Sequence, residues 1–211
     1  MIIRDLGSAL YGDVFAAMKA FTAQRTSNSE DEIWLVQHPA VYTVGRSADR
    51  SNSVSDLNGI PVVRVDRGGS ITLHAPGQLV AYPLIDLHRA HILPRDYVHR
   101  LEQAVILTLA DFGIRADTVP QAPGVYVASQ GGDGLFVGKA KIASVGVKIS
   151  HGCTYHGLSL NVAMDLSLFE RISPCGYSRL RMTDMAQQGC RTTPEKVAPL
   201  LCRHLTDQLQ S

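Results

Sequence analysis

Five apolar positions after Gly7, namely Tyr11, Val14, Phe15, Met18 and Phe21, recur at helical spacing and predict an amphipathic helix that packs on a sheet. The period then shortens. In "DEIWLVQHPAVYTVG" β-branched and aromatic residues flank Pro39, which reads as two short strands or one strand broken at the proline. "IPVVRVDRGG", "SITLHAPGQ" and "LVAYPLIDL" are three further β segments, punctuated by glycines and by Pro76 and Gly77. Helical spacing returns in "PRDYVHRLEQAVILTLADFG", where Val98, Leu101, Val105 and Leu109 share a face and Gly113 marks the stop. "GVYV" and "LFVGKAKIASVGVKI" read as strands around a Gly-rich turn, "GLSLNV" as another strand, and "DLSLFERISPCG" as a short helix broken by Pro174. "TTPEKVAPLLCRHLTDQL" closes the chain as a helix with a capping box at Thr192 and Glu195, Pro194 at its first position, and Val197, Leu201 and Leu205 inward.

Strands come in runs between helices rather than in strict alternation with them, so the pattern predicts an α+β fold, a mixed or antiparallel sheet covered by helices. With 211 residues and no repeat, low-complexity tract or linker, residues 1–211 are expected to form a single domain. Composition removes several classes of function. The formal net charge is +1 and the basic residues are scattered, which argues against a nucleic-acid partner. No apolar stretch approaches the roughly 20 residues that span a bilayer, and "MIIRDLGSALYGD" meets acidic residues and glycine before a signal-peptide core could form. A soluble, cytoplasmic protein with no membrane partner is therefore expected. Cys153, Cys175, Cys190 and Cys202 show no C-x-x-C spacing and are expected as free thiols.

The stretch "RGGSITLHAPGQ" carries more punctuation than a hairpin needs, with a glycine pair, a histidine and a Pro-Gly turn close together. Two other stretches have plain readings. "GGDGLFVGKAK" lacks Ser or Thr after Gly138 and Lys139, and lacks the strand-to-helix context of a phosphate-binding Walker loop. "HGCTYH" offers His151, Cys153 and His156 as zinc ligands, but on an extended strand Cys153 and Tyr155 face one way and Thr154 and His156 the other. An ordinary turn entering a strand is the better reading. Cys175, in "SPCGYS", follows a proline that ends the preceding helix and precedes a glycine that permits close approach, a setting that can present its sulfur at a loop. Local sequence alone does not separate that role from a buried structural thiol.

"HPAVYTVGR", "PVVRVDRGGSITLHAPGQLVAYPLIDL", "PGVYV", "KIASVGVKI", "HGLSLNV", "DLSLF" and "RISPCGYS" occur in the order and approximate spacing of the lipoyl(octanoyl) transferases. Through these blocks the chain resembles that family, within the wider biotin and lipoate protein ligase superfamily. The resemblance implies a biotin/lipoate protein ligase-like domain, related in fold to class II aminoacyl-tRNA synthetases. It also implies transfer of an octanoyl group from the phosphopantetheine arm of octanoyl-acyl carrier protein to a lysine of lipoyl domains. The acceptors it implies are 2-oxoacid dehydrogenases and the glycine cleavage H protein, and the enzyme is expected to be a monomer with no cofactor and no metal. By the same matching, Cys175 of the "PCG" block carries the acyl group, while Lys141, which opens "KIAS", sets the cysteine pKa and handles protons; Lys139 does not match. Arg67, Gly68, Gly69, Ser70, Ile71, Thr72, Leu73 and His74 would line the acyl pocket, together with Ser144, Val145, Gly146, Gly157, Leu158 and Ser159. Two departures stand out: Ala75 replaces the first glycine of the usual H-G-P-G-Q, and the loop "ASQGGDGLFVGKA" is longer than is typical.

These residue types suit the reaction. Moving an acyl group from a thioester to an amine is downhill, so no ATP is required, and a thiolate that exchanges thioesters splits the transfer into two easier halves. With ordinary pKa values of about 8.5 for cysteine and about 10.4 for lysine, a proton shared between the two rests on lysine by about 2.6 kcal/mol. A contacting pair would rest as thiolate and ammonium. Acylation removes the thiolate charge, after which the lysine releases its proton more readily and can deprotonate the incoming amine. The backbone of Gly157 and Leu158 is the candidate donor to the tetrahedral oxyanion. Gly68 and Gly69 would let a loop pass close to the acyl chain, and Pro76 with Gly77 would turn the strand away. His74 would put a polar edge in the cleft as wall, orienter or proton carrier, unless it is a core histidine satisfied by backbone. Competing functions are an ATP-dependent lipoate or biotin ligase, a module that only docks carrier domains, and a thioesterase; the last lacks a Cys-His-Asp signature.

Overall fold

The computed structural model describes residues 1–48, 56–57, 59–132, 134–172 and 180–210. It begins with β1 (Ile2–Ser8), an edge strand that the apolar pattern does not announce because "IIRDLGS" alternates poorly. Helix α1 (Tyr11–Gln24) follows and buries Tyr11, Val14 and Met18. The segment containing Pro39 separates β2 (Glu32–Gln37) from β3 (Val41–Val44), and the two strands enter different sheets. Next come β4 (Asp56–Leu57), β5 (Ile60–Arg64), β6 (Ile71–His74) and β7 (Gln78–Leu84). Helix α2 (Pro94–Asp111) leads to β8 (Ala116–Val119), β9 (Ala122–Ala128), β10 (Lys139–Ser150) and β11 (Cys153–Asn161), and α3 (Pro194–Gln210) ends the chain.

Several elements differ from expectation for local reasons. "LFVG" is not extended: Gly134–Phe136 is a 3-10 turn that buries Phe136. Gly132 and Gly138 flank it at φ +86° and +71°, conformations that interrupt a strand, so β10 starts only at Lys139. The helix expected in "DLSLFER" is a 3-10 helix, Leu166–Arg171, with the Asp165 side chain accepting the Ser167 N–H; the break at Pro174 lies outside the described residues. In α2 the inward position belongs to Tyr97, which is fully buried and donates to the Pro83 carbonyl at 2.9 Å, while Val98 sits at the margin. At the start of α3 the Thr193 carbonyl accepts from Lys196 and Val197, and Glu195 engages Thr193 and the Gln37 amide rather than Thr192.

A seven-stranded sheet runs in the order β1-β2-β7-β11-β10-β9-β8, parallel only between β1 and β2. A four-stranded sheet, β4-β5-β3-β6, is parallel between β3 and β5. The fold is thus the mixed α+β arrangement the strand runs predict. Period-two alternation explains why the central strands read as nearly continuous apolar runs. Ile33 and Leu35 of β2 pack with Leu101 and Val105 of α2 and with Leu201 and Leu205 of α3, whereas Trp34 and Val36 pack with Val14 and Met18 of α1. Leu79 and Ala81 of β7 repeat the first pattern, and Val80, Tyr82 and Leu84 the second. Each such side chain contributes about 1.5 to 3 kcal/mol relative to exposure. No helix among the described residues is long and apolar enough to cross a membrane.

Candidate active site

One cavity gathers most of the residues marked by the sequence. The chain after β5 supplies Arg67, Gly69 and Ser70, and β6 supplies Ile71, Thr72 and His74. Across from them stand Lys141, Ser144, Val145 and Gly146 of β10 and Gly157, Leu158 and Ser159 of β11. Gly68 faces a neighbouring cavity beside Pro123 and Val147. Leu73, pointing off β6 in the opposite direction to His74, is buried with Tyr42, Ala75 and Phe169. Cys175 lies outside the described residues. Sequence reasoning missed four lining residues: Tyr11 of α1, Val80 and Tyr82 of β7, and His156 of β11.

Lys141 is held from several sides. Register between β10 and β9 runs from Lys141 opposite Tyr126 to Ala143 opposite Val125, so Ile142 is an extra residue and the strand bulges where the lysine leaves it. The side chain is almost wholly buried; Nζ donates to the Pro123 carbonyl at 2.8 Å and lies 5.4 Å from the Tyr126 ring centroid. Gly124, at φ +132°, leaves the space: a Cβ there would sit 2.4 Å from Lys141 Cε and 2.9 Å from Nζ. The Lys141 N–H donates to the Arg181 carbonyl at 2.8 Å, and its carbonyl accepts from Thr183 at 2.9 Å. Chain just C-terminal to Cys175 therefore returns alongside this lysine. Lys139 is half-buried 3.9 Å from the Asp117 carboxylate and does not line the cavity.

Arg67 explains the Arg-Gly-Gly run. Its buried guanidinium donates to the Thr43 carbonyl at 2.6 Å and to the Gly68 carbonyl at 2.9 Å, strapping the segment to β3. Gly69 takes φ +80°, and a Cβ on Gly45 would meet the Gly69 carbonyl at 2.3 Å, so the two backbones pass at a distance only glycine allows.

The remaining wall is built of imidazole and phenol rings. His74 is buried, stacked on Tyr11 with centroids 5.5 Å apart, and its Nδ1 meets Gln78 Oε1 at 2.8 Å. The Gln78 amide nitrogen donates to Leu73 O and Asn161 Oδ1, so its oxygen must accept, and His74 carries its proton on Nδ1. Burial, reinforced by nearby His38, pushes the His74 pKa down to about 3, leaving a neutral ring with its lone pair on Nε2. His38 donates from Nδ1 to Ala9 O at 2.8 Å and accepts from the Tyr82 hydroxyl at 2.9 Å. This satisfied network fixes tautomers rather than leaving them to solvent.

His156 corrects the alternation expected for "HGCTYH". It adopts φ +58°, a left-handed conformation that breaks the pleat, so its ring stacks on that of Tyr155 with centroids 5.1 Å apart instead of facing away. Both residues meet Asp66: the Tyr155 hydroxyl at 2.5 Å and His156 Nε2 at 3.0 Å. Burial pushes the His156 pKa down to about 4 against the opposing pull of Asp66. Burial raises that of Asp66, but hydrogen bonds from Tyr155 and His156 outweigh it and leave the carboxyl below its ordinary range. Among the described residues no group of three or more His, Cys, Asp or Glu side chains is arranged to hold a metal ion.

The model of the lipoyl protein ligase A/B catalytic domain matches residues 11–206. An octanoyltransferase of Polynucleobacter necessarius is 49% identical over 99% of this chain and 97% of its own length. Among solved structures, the bipartite lipoate protein ligase of Thermoplasma acidophilum superimposes with a TM-score of 0.75 at 17% identity, covering 99% of this chain and 83% of that one. Lipoate-protein ligase A bound with ATP gives 0.72 at 17% identity, covering 99% and 86%. At such identity these two show a shared fold and no more. The match over nearly all of the chain, together with the near-full-length identity, means that this protein belongs to the lipoyl protein ligase A/B catalytic domain family.

Proposed function

We propose that this chain is an octanoyltransferase that moves an octanoyl group from octanoyl-acyl carrier protein to the acceptor lysine of lipoyl domains through an acyl-Cys175 thioester. The observation that carries the reading is the near-full-length identity to an octanoyltransferase. The burial of Lys141 beside the "RGGSITLH" and "HGLS" segments supports it.

In the first half-reaction the Cys175 thiolate attacks the donor carbonyl, a sulfur–carbon bond forms, and the phosphopantetheine sulfur leaves and takes a proton from the Lys141 ammonium. In the second, neutral Lys141 removes one proton from the acceptor ammonium. The freed amine attacks the acyl-Cys carbonyl, the amide forms, Cys175 leaves as thiolate, and the second amine proton passes to solvent. The resting thiolate and ammonium are thereby restored. The glycine-rich backbone at Gly69, Gly146 and Gly157 allows close approach of the acyl group, and the Gly157 and Leu158 backbone is where a donor to the oxyanion is expected. Neutral His74 offers Nε2 as an acceptor, which suits it to orient an amine or thiol rather than to carry charge.

The competing reading is an ATP-dependent ligase on the same fold. Incubation of the chain with an apo-lipoyl domain separates them: product is expected with octanoyl-acyl carrier protein and no nucleotide. Product from free octanoate and ATP, with none from the thioester, would establish the ligase instead.

A further inference from the structure

Glu102 lies on α2, outside the cavity and outside every motif the sequence marks, yet its carboxylate is buried. A buried carboxylate needs a reason, since desolvation penalises its charge. Its Oε1 accepts the Gly124 N–H at 2.8 Å. That N–H belongs to the same peptide unit as the Pro123 carbonyl, which accepts from Lys141 Nζ at 2.8 Å. Burial raises the Glu102 pKa against the opposing pull of the Gly124 N–H, His99 and Lys141; in its carboxylate form Glu102 places an anion at the N–H end of the peptide whose carbonyl end meets the lysine, and the two hydrogen bonds polarise the amide in the same sense. Lys141 and Glu102 also attract each other directly, as does His99 on the same helix.

We propose that Glu102 is a positioning residue for the transfer reaction: acting through the Pro123–Gly124 peptide, it fixes the Lys141 side chain and stabilises its ammonium form. The proposal rests on the reading of Lys141 as the proton-handling group. Other titratable or charged groups bearing on the pair are His99 of α2, Tyr126 of β9, and Arg67, His74 and His156 on the cavity wall. None of these carries a negative charge, and Glu102 is an acidic side chain that reaches Lys141 through a single peptide.

The assignment has a signature that a merely structural hydrogen bond lacks. Glu102→Gln keeps an acceptor for Gly124 and nearly the same shape but removes the charge. In the free enzyme the ordinary values start about two units apart, so the shared proton still rests on the lysine after this loss, and acyl capture from octanoyl-acyl carrier protein should keep nearly its wild-type pH profile. The second half-reaction needs neutral Lys141, so transfer from pre-formed acyl-enzyme to a lipoyl domain should reach its plateau at lower pH. The transfer profile is expected to move down by about one pH unit while the capture profile stays nearly in place. Single-turnover measurement of each half-reaction from pH 6 to pH 9, wild type against Glu102→Gln, reads this directly. A transfer profile that stays put, or a capture profile that moves by the same amount, would overturn the assignment while leaving the transferase reading intact. Failure of the wild type to form any acyl-enzyme would instead remove that underlying reading. If Glu102→Gln does not fold, Glu102→Asp, which retracts the charge from Gly124, is measured the same way; a smaller downward shift of the transfer profile alone is expected, and its absence overturns the proposal.

Discussion

Gly124 and His156 both hold backbone conformations that most residues avoid, and each does so where the cavity wall needs it. At Gly124 the positive φ and the lysine passing over it leave no room for a methyl group. Gly124→Ala is expected to cost more than about 1 kcal/mol and, by displacing Lys141, to slow transfer by at least about tenfold; urea unfolding and the transfer assay read the two effects. His156→Ala should cost about 1 to 3 kcal/mol because it removes one of the two hydrogen bonds to Asp66, empties the buried ring site and retains the left-handed strain. His156→Asn should cost less, since Asn tolerates that conformation. Equal losses for the two variants in urea titrations would contradict this account of the strain. The sequence makes neither conformation legible, though it marks other parts of the site. Arg67 and its glycines stand in a run more punctuated than a strand requires, whereas Lys141 stands out only through the resemblance to the lipoyl(octanoyl) transferases. His156 looks like an ordinary alternating strand residue until its φ is known. Asp66, Tyr11 and Tyr82 reach the site from separate segments, and only the tertiary arrangement brings them together.

Among the elements, α2 and α3 were readable from spacing because both are long and one-sided, and β2 and β7 because both faces of the central sheet are covered and their apolar runs are nearly unbroken. The short or marginal elements were not. Strands β1 and β8 are the two edges of the large sheet, where one partner suffices and side-chain pattern is weakly constrained. Phe136 looks like part of a strand, but its flanking glycines curl it into a 3-10 turn. Helix α3 also contains an exposed proline, Pro199, that can donate no hydrogen bond to the preceding turn. Pro199→Ala is therefore expected to raise stability by about 1 to 3 kcal/mol, seen as a higher midpoint in thermal or urea unfolding. An unchanged or lower midpoint would mean that the helix accommodates its proline without cost.

At the scale of the whole molecule, the ring wall ties stability to pH. His74 and His156 take up protons in the unfolded chain near their ordinary value of about 6.5, but in the folded chain only near 3 and 4. Between those limits the unfolded state binds more protons, so stability is greatest above about pH 6.5 and falls as pH falls. The slope is about 1.4 kcal/mol per pH unit for each histidine. Urea midpoints followed from pH 7.5 to pH 4.5 should decline steadily, and a flat profile would mean that the rings are charged or exposed. The proposed catalysis depends on a sulfur accepting the acyl group before the acceptor lysine does, and one measurement addresses that step. The intact chain is mixed with octanoyl-acyl carrier protein in the absence of any lipoyl domain, weighed by mass spectrometry, and digested to locate the modification. The account predicts a gain of one octanoyl group on Cys175, none on Cys175→Ala, and slow capture by Lys141→Ala at pH 7 that recovers at high pH. An unmodified Cys175 in a chain that still transfers octanoate, or full transfer by Cys175→Ala, would contradict it.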